Sequence, residues 1–118
     1  MKILIVDDSK AMRMIVMRTL RQAGFSDHTI VEAANGVEAL DAVKKSPPDL
    51  VLSDWNMPEM NGLELLKALR SAGNPVKFGF VTSEGTAEVK ESAIAAGALF
   101  FVTKPFTPDT FKEALAKI

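Results

Sequence analysis

The chain of 118 residues contains no cysteine, which excludes disulfides, thiolate metal sites and cysteine nucleophiles. A single histidine, His28, leaves no room for a histidine-rich metal cluster; it precedes a strand pattern, where a surface position is expected. No apolar run approaches the roughly 18 to 20 residues that span a bilayer, so no membrane partner is expected. Met1-Lys2 leads only into the short run Ile3–Val6, too brief for an export signal, which makes the cytoplasm the expected compartment. Charge of one sign is missing too. Fourteen Lys and Arg against 15 Asp and Glu give a net charge of −1, which argues against a nucleic-acid partner across the surface. What is present is a chain 47% hydrophobic, enough for one core and one domain spanning residues 1–118.

The pattern along the chain alternates. Ile3–Val6 is a short apolar strand that stops at Asp7-Asp8, and Ser9 can cap the helix after it. In that helix Met12, Ile15, Val16, Thr19, Leu20 and Ala23 recur at helical spacing, and Gly24 ends it. A second strand, about Thr29 to Glu32, precedes Asn35-Gly36 and a helix with Val37, Leu40 and Val43 on one face, which stops before Pro47-Pro48. Leu50–Leu52 forms a third strand, ending on Asp54, and a loop marked by Pro58 and Asn61-Gly62 leads to a helix over about Leu63 to Arg70. The fourth strand, Val76–Val81, ends on Thr82-Ser83, and an alanine-rich helix follows with Val89, Ala93 and Ala96 on one side. The fifth, Leu99–Val102, ends on Thr103-Lys104-Pro105, before a helix holding Phe111, Leu115 and Ile118. Five strand–helix units in strict alternation imply an α/β fold with a doubly wound parallel sheet and helices on both faces. Strands this continuously apolar agree, since both their faces must be covered. The last helical pattern ends with the chain, and on that reading no output domain follows.

In a parallel sheet all carboxyl ends share one edge, so Asp7-Asp8, Asp54, Thr82-Ser83 and Lys104 are expected in one crevice, while the second strand ends on Ala33-Ala34. Three carboxylates so placed repel, and a divalent cation resolves the repulsion. Magnesium suits best, taking oxygen ligands, few protein carboxylates and several waters that a phosphate can replace, with a backbone carbonyl just past Asp54 completing the shell. Lys104 supplies the opposing charge and Thr82 a hydroxyl. An ionised carboxylate, a metal, a lysine and a hydroxyl are the parts that phosphoryl transfer to a carboxylate requires. Each has a plainer reading: Asp7-Asp8 as the start of a helix, Thr82 as a helix cap, Lys104-Pro105 as a surface turn. All must hold together for the site to dissolve.

Asp7-Asp8, Asp54, Thr82-Ser83 and Lys104-Pro105-Phe106, each after its own strand, resemble the receiver domain of two-component response regulators. The likeness covers essentially the whole chain. The stretch Asp54-Trp55-Asn56-Met57-Pro58-Glu59-Met60-Asn61-Gly62 is especially similar to the single-domain chemotaxis members. The resemblance implies a flavodoxin-like strand order, 2-1-3-4-5, which periodicity does not show. It implies that Asp54 accepts a phosphoryl group from a histidine of a sensor kinase or phosphotransfer domain, and that the chain is no turnover enzyme. Asp8, Asp54 and the Asn56 carbonyl would hold Mg²⁺ directly and Asp7 through water, with Thr82 and Lys104 on the phosphoryl group. Phe101 matches the switch aromatic; with no tyrosine in the chain it has no hydroxyl. Asn56 and Glu84 would tune hydrolysis, Lys104-Pro105 would be cis, and a downstream protein would bind the face of the fourth helix, fifth strand and fifth helix. Ile94, off the Val89/Ala93/Ala96 stripe by about 100° per residue, is expected to add apolar surface there.

Three other readings compete. A flavin-phosphate site needs a turn of amides after the first strand, whereas two carboxylates stand there. Aspartyl phosphatases of the haloacid dehalogenase kind carry Asp-x-Asp after that strand, whereas Asp7 and Asp8 are adjacent. The third is a receiver excised from a multidomain regulator.

Overall fold

A short strand that is apolar at every position presents a hydrophobic set to each side of its sheet, because successive side chains alternate. The computed structural model, which describes residues 1–25 and 27–117, has this arrangement. Strands β1 (Lys2–Val6), β2 (Thr29–Ala33), β3 (Leu50–Ser53), β4 (Lys77–Thr82) and β5 (Phe100–Thr103) form one sheet in the order β2-β1-β3-β4-β5. Every pairing is parallel. Helices α1 (Lys10–Leu20), α2 (Gly36–Lys45), α3 (Gly62–Ser71), α4 (Ala87–Ala95) and α5 (Pro108–Leu115) connect and follow the strands. The expected doubly wound sheet and its strand order are both present, as is the cis Lys104-Pro105 bond.

Ile3, Ile5, Leu50 and Leu52 pack with Val16 and Leu20 of α1 and Phe111 and Leu115 of α5. Leu4, Val6 and Val51 face the other way, toward Ala39 and Val43 of α2 and Leu65, Leu66 and Leu69 of α3. Each such fully buried side chain contributes about 1.5–3 kcal/mol, so the two faces together hold the sheet. Register then places the strand ends level. Val6 is opposite Ala33 on one side and Ser53 on the other, and Thr82 is opposite Thr103.

Side-chain caps start the helices: Ser9 accepts from the Met12 amide, Asn35 from Glu38, Asn61 from Glu64, Thr86 from Val89 and Thr107 from Thr110. Thr82 is therefore no cap; α4 begins beyond it. The first helix also stops short of Gly24. A wider turn, Arg21–Phe25, follows Leu20 and contains Gly24 at φ 99°, a left-handed value that glycine adopts without strain. Ile15 and Val37, expected on buried stripes, are 44% and 48% exposed. In α1 the buried residues are Val16, Thr19 and Leu20, while α2 is turned so that Gly36, Ala39 and Val43 are covered. Gly36 sets that rotation, since a Cβ there would stand 2.7 Å from Met60. β4 starts at Lys77 and β5 at Phe100, each one residue later than the apolar runs suggest. His28 is partly exposed at the surface beside Phe25. Ile118 lies outside the described residues. No helix among the described residues is long and apolar enough to cross a membrane.

α4 is the least embedded helix. Ala93 alone is fully buried in it, Val89 and Ala96 are half-covered, and Ile94 is 47% exposed as expected. Its carboxyl end is nevertheless tied down. The Arg70 guanidinium donates to the carbonyls of Asn74 (3.0 Å), Val76 (2.8 Å) and Gly97 (3.2 Å), joining the end of α3, the approach to β4 and the end of α4. Arg70→Met keeps most of the aliphatic stem and loses these bonds from a charged donor. It is expected to cost about 1–3 kcal/mol in denaturant unfolding. Amide exchange should quicken over residues 87–97 more than in β1 or β3, as measured by mass spectrometry.

Candidate functional site

The chain leaves β1 toward β2 and later returns to β3 on the other side of β1. The loops after β1 and β3 therefore diverge and open a crevice at the carboxyl edge of the sheet. Asp7 and Asp8 enter it from β1, Asp54 from β3 and Lys104 from β5. One oxygen from each of Asp7, Asp8 and Asp54 lies within 4.8 Å of the others. The Lys104 ammonium stands 3.2 Å from Asp7 Oδ2 and 3.5 Å from Asp54 Oδ2. Sequence reasoning expected this convergence, and these four residues meet.

Backbone amides hold the other carboxylate oxygens. The Ser9 N–H donates to Asp7 Oδ1 at 2.9 Å and the Trp55 N–H to Asp54 Oδ1 at 2.7 Å. The main chain beneath is anchored to neighbouring strands, Asp7 N–H to the Ala33 carbonyl (3.1 Å) and Asp54 N–H to that of Val6 (2.9 Å). Gly62 lets α3 begin close against Asp54. Its N–H donates to the Trp55 carbonyl at 2.9 Å, and a Cβ there would collide with the Asp54 carbonyl and stand 2.7 Å from the Phe80 ring.

Asp7 is only 4% exposed, Asp54 half-buried and Asp8 exposed. Burial pushes the Asp7 carboxyl above its ordinary value; the Ser9 amide and the Lys104 charge pull it down, Asp54 pushes it up again, and the net direction is upward. Three oxygen donors, two of them adjacent in the chain and one exposed to water, could hold a hard divalent cation.

Thr82 is fully buried at the end of β4, and its hydroxyl accepts the Glu84 N–H at 3.2 Å. Asn56 and Glu84 meet directly, the Asn56 amide donating to Glu84 Oε1 at 2.8 Å. Phe101 is half-buried on β5 with its ring 6.0 Å from that of Phe80, in the cluster that holds Trp55 and Met57 rather than among the acids. Two contributors escaped sequence reasoning. The buried Ser53 hydroxyl donates to the Asp54 carbonyl at 2.9 Å. Arg13 donates to the Asp7 carbonyl at 2.6 Å and to Glu32 at 2.9 Å. A long cation one turn into a helix that starts beside two acids was the available signal.

A raised native pKa means that the folded protein holds the Asp7 proton more tightly than the unfolded chain, whose ordinary value is 3.8. The contribution of this group is thus fully present below that value and is lost as pH rises through the native one. In metal-free protein, Asp7→Asn is expected to raise the thermal midpoint by a few degrees at neutral pH. The gain should shrink as pH falls toward 3.8, as followed by circular dichroism across pH.

Comparison with known proteins agrees with this geometry. The family model described as "Response regulator receiver domain" matches residues 3–116. A chemotaxis protein CheY homolog of Campylobacter jejuni is 44% identical over 121 residues, covering 100% of this chain and 92% of its own. CheY1 of Helicobacter pylori is 42% identical over 118 residues, covering 98% and 94%. The structure of Vibrio cholerae chemotaxis protein CheY4 superposes with a TM-score of 0.86 at 37% identity, covering 99% of this chain and 97% of that one. The receiver domain of Francisella response regulator 1452 gives 0.87 at 25% identity, over 98% and 94%. A family match over almost every residue, with these relatives spanning the same length and three acids and a lysine gathered at one sheet edge, makes the chain a member of the response regulator receiver domains.

Proposed function

We propose that residues 1–118 form a single receiver domain acting as a phosphorylation-activated signalling switch, with Asp54 as phosphoacceptor. The observation that carries this reading is Lys104 set between Asp7 and Asp54, with an Asp8 oxygen within 4.8 Å of theirs, three strands contributing to one charged group. Mg²⁺ fits the all-oxygen donor set: Asp8, Asp54 and the Asn56 carbonyl would hold it directly and Asp7 through water. When bound, it supplies positive charge to the phosphoryl oxygens.

The phosphodonor is a phosphohistidine of a sensor kinase or phosphotransfer domain. An Asp54 carboxylate oxygen bonds to phosphorus as the nitrogen–phosphorus bond breaks, and the released imidazole takes a proton. Lys104, already beside Asp54, moves onto a phosphoryl oxygen. Water later attacks the phosphorus and returns Asp54 as carboxylate with inorganic phosphate, so the chain serves its own phosphorylation cycle and is not a turnover enzyme. The Asn56–Glu84 hydrogen bond joins the residues two past Asp54 and Thr82, which suits these two residues to tuning that hydrolysis.

Phosphorylation adds about −1.5 to −2 charges at the crevice. Thr82 is drawn from its turn with Glu84 toward the phosphoryl oxygens, and Phe101 moves into the space behind it. The surface of α4, β5 and α5 then shifts between two states. Ile94, 47% exposed, offers apolar area on that face to a downstream protein. The chemotaxis relatives support a stand-alone chemotaxis role.

Trp55 adjoins Asp54 and is the only tryptophan, so its fluorescence reports the site. Mg²⁺ followed by beryllofluoride, a phosphoryl mimic, is expected to change the emission in wild-type protein. The second change should vanish in Asp54→Asn; an unaltered response there would contradict the proposal. Glu84→Ala, which removes the hydrogen bond to Asn56, is expected to shorten the lifetime of the phosphorylated form several-fold, as read by loss of radiolabel.

A further inference from the structure

Arg13 lies on α1 with its side chain 13% exposed, and it reaches two other parts of the sheet. Its Nη1 donates to the Asp7 carbonyl at 2.6 Å, while its Nε donates to Glu32 Oε1 on β2 at 2.9 Å. The carbonyl it holds belongs to the peptide that joins Asp7 to Asp8. That unit is planar, so fixing its oxygen fixes the direction in which the chain presents both residues. On the Asp7 side the strand is already pinned through the Asp7 N–H and the Ala33 carbonyl, 3.1 Å apart. Asp8 is exposed and sits at the open side of the cluster. The direction of its carboxylate therefore depends on the peptide that Arg13 grips.

Glu32 completes the arrangement. A guanidinium carries donors in a rigid fork, so an anion on one branch sets where the other points. It also offsets a positive charge that would otherwise compete with a cation among the acids. We propose that Arg13 is a positioning residue for the acidic cluster, tuning its affinity for Mg²⁺ through the Asp7–Asp8 peptide, with Glu32 aiming and neutralising the guanidinium. The proposal rests on the reading of Asp7, Asp8 and Asp54 as a Mg²⁺ site.

The test is a magnesium titration of the full chain, read by Trp55 fluorescence and, independently, by the rise of the thermal midpoint with Mg²⁺ concentration. Partners standing behind metal ligands typically change affinity by 10–100-fold when removed, and Arg13→Gln is expected to weaken Mg²⁺ binding about tenfold. Arg13→Lys keeps the charge but lacks the planar fork that spans the Asp7 carbonyl and Glu32, and its affinity should fall between those of the wild type and Arg13→Gln. Glu32→Gln, a change at a 39% exposed side chain, is expected to weaken binding as well while leaving the fold intact. Arg13→Gln combined with Glu32→Gln should be close to Arg13→Gln alone rather than to the sum, because the two act as one unit. A purely structural role would lower the metal-free midpoint and leave the affinity unmoved. Wild-type affinity in Glu32→Gln and in either Arg13 variant that folds overturns the proposal. Absence of any saturable Mg²⁺ response in the wild-type chain removes the metal-site reading itself, and the inference with it.

Discussion

Carboxylates gathered at one edge of a sheet repel one another, and a single ammonium, Lys104 Nζ, stands against Asp7 and Asp54. At 4 Å and the effective dielectric of a protein surface, one such charge pair is worth about 4 kcal/mol, so the balance is sensitive to every group added or removed. Two neighbouring acids and one cation leave Asp7 with its carboxyl pushed above the ordinary range by burial. The site is therefore electrostatically incomplete by construction. On the proposed reading, a divalent cation would complete it and a phosphoryl group would give Lys104 a new partner.

Nothing in the loops alone brings these groups together. Ile3 and Ile5 on one side of β1 and Leu4 and Val6 on the other lock that strand between two helical layers, and β3 is held the same way. With Val6, Ala33 and Ser53 in register, the residues that follow emerge at one level. Small and buried groups then close the gap: Gly62 admits the start of α3 beside Asp54, and Ser53 ties the Asp54 carbonyl. The core supplies rigidity and the strand ends supply chemistry.

α4 departs from this economy of packing. It buries Ala93 fully and little else, yet Arg70 holds the segment just past its carboxyl end. A helix with few buried contacts shifts at low cost. An element anchored at one end and thinly packed along its length can shift without unfolding the sheet.

The alternation of elements, the apolar strands and the identity of the charged strand ends were legible in the chain, because period and composition are local properties. Asp7, Asp8, Asp54 and Lys104 could be named as neighbours once a parallel sheet was inferred, since all its carboxyl ends must share an edge. Strand order came from family likeness, as periodicity says nothing about which strands adjoin. Other features escaped: the exposure of Ile15 and Val37, the place where α1 gives way to a wider turn, the Asn56–Glu84 bond, and the reach of Arg13 to Asp7 and Glu32. Each depends on the phase at which a helix or loop meets distant residues, as Gly36 meets Met60. By itself the sequence determined which residues carry charge and on which strands they end. Only the tertiary structure decided which of them touch, because contact is set by side-chain volumes arriving from elsewhere in the chain.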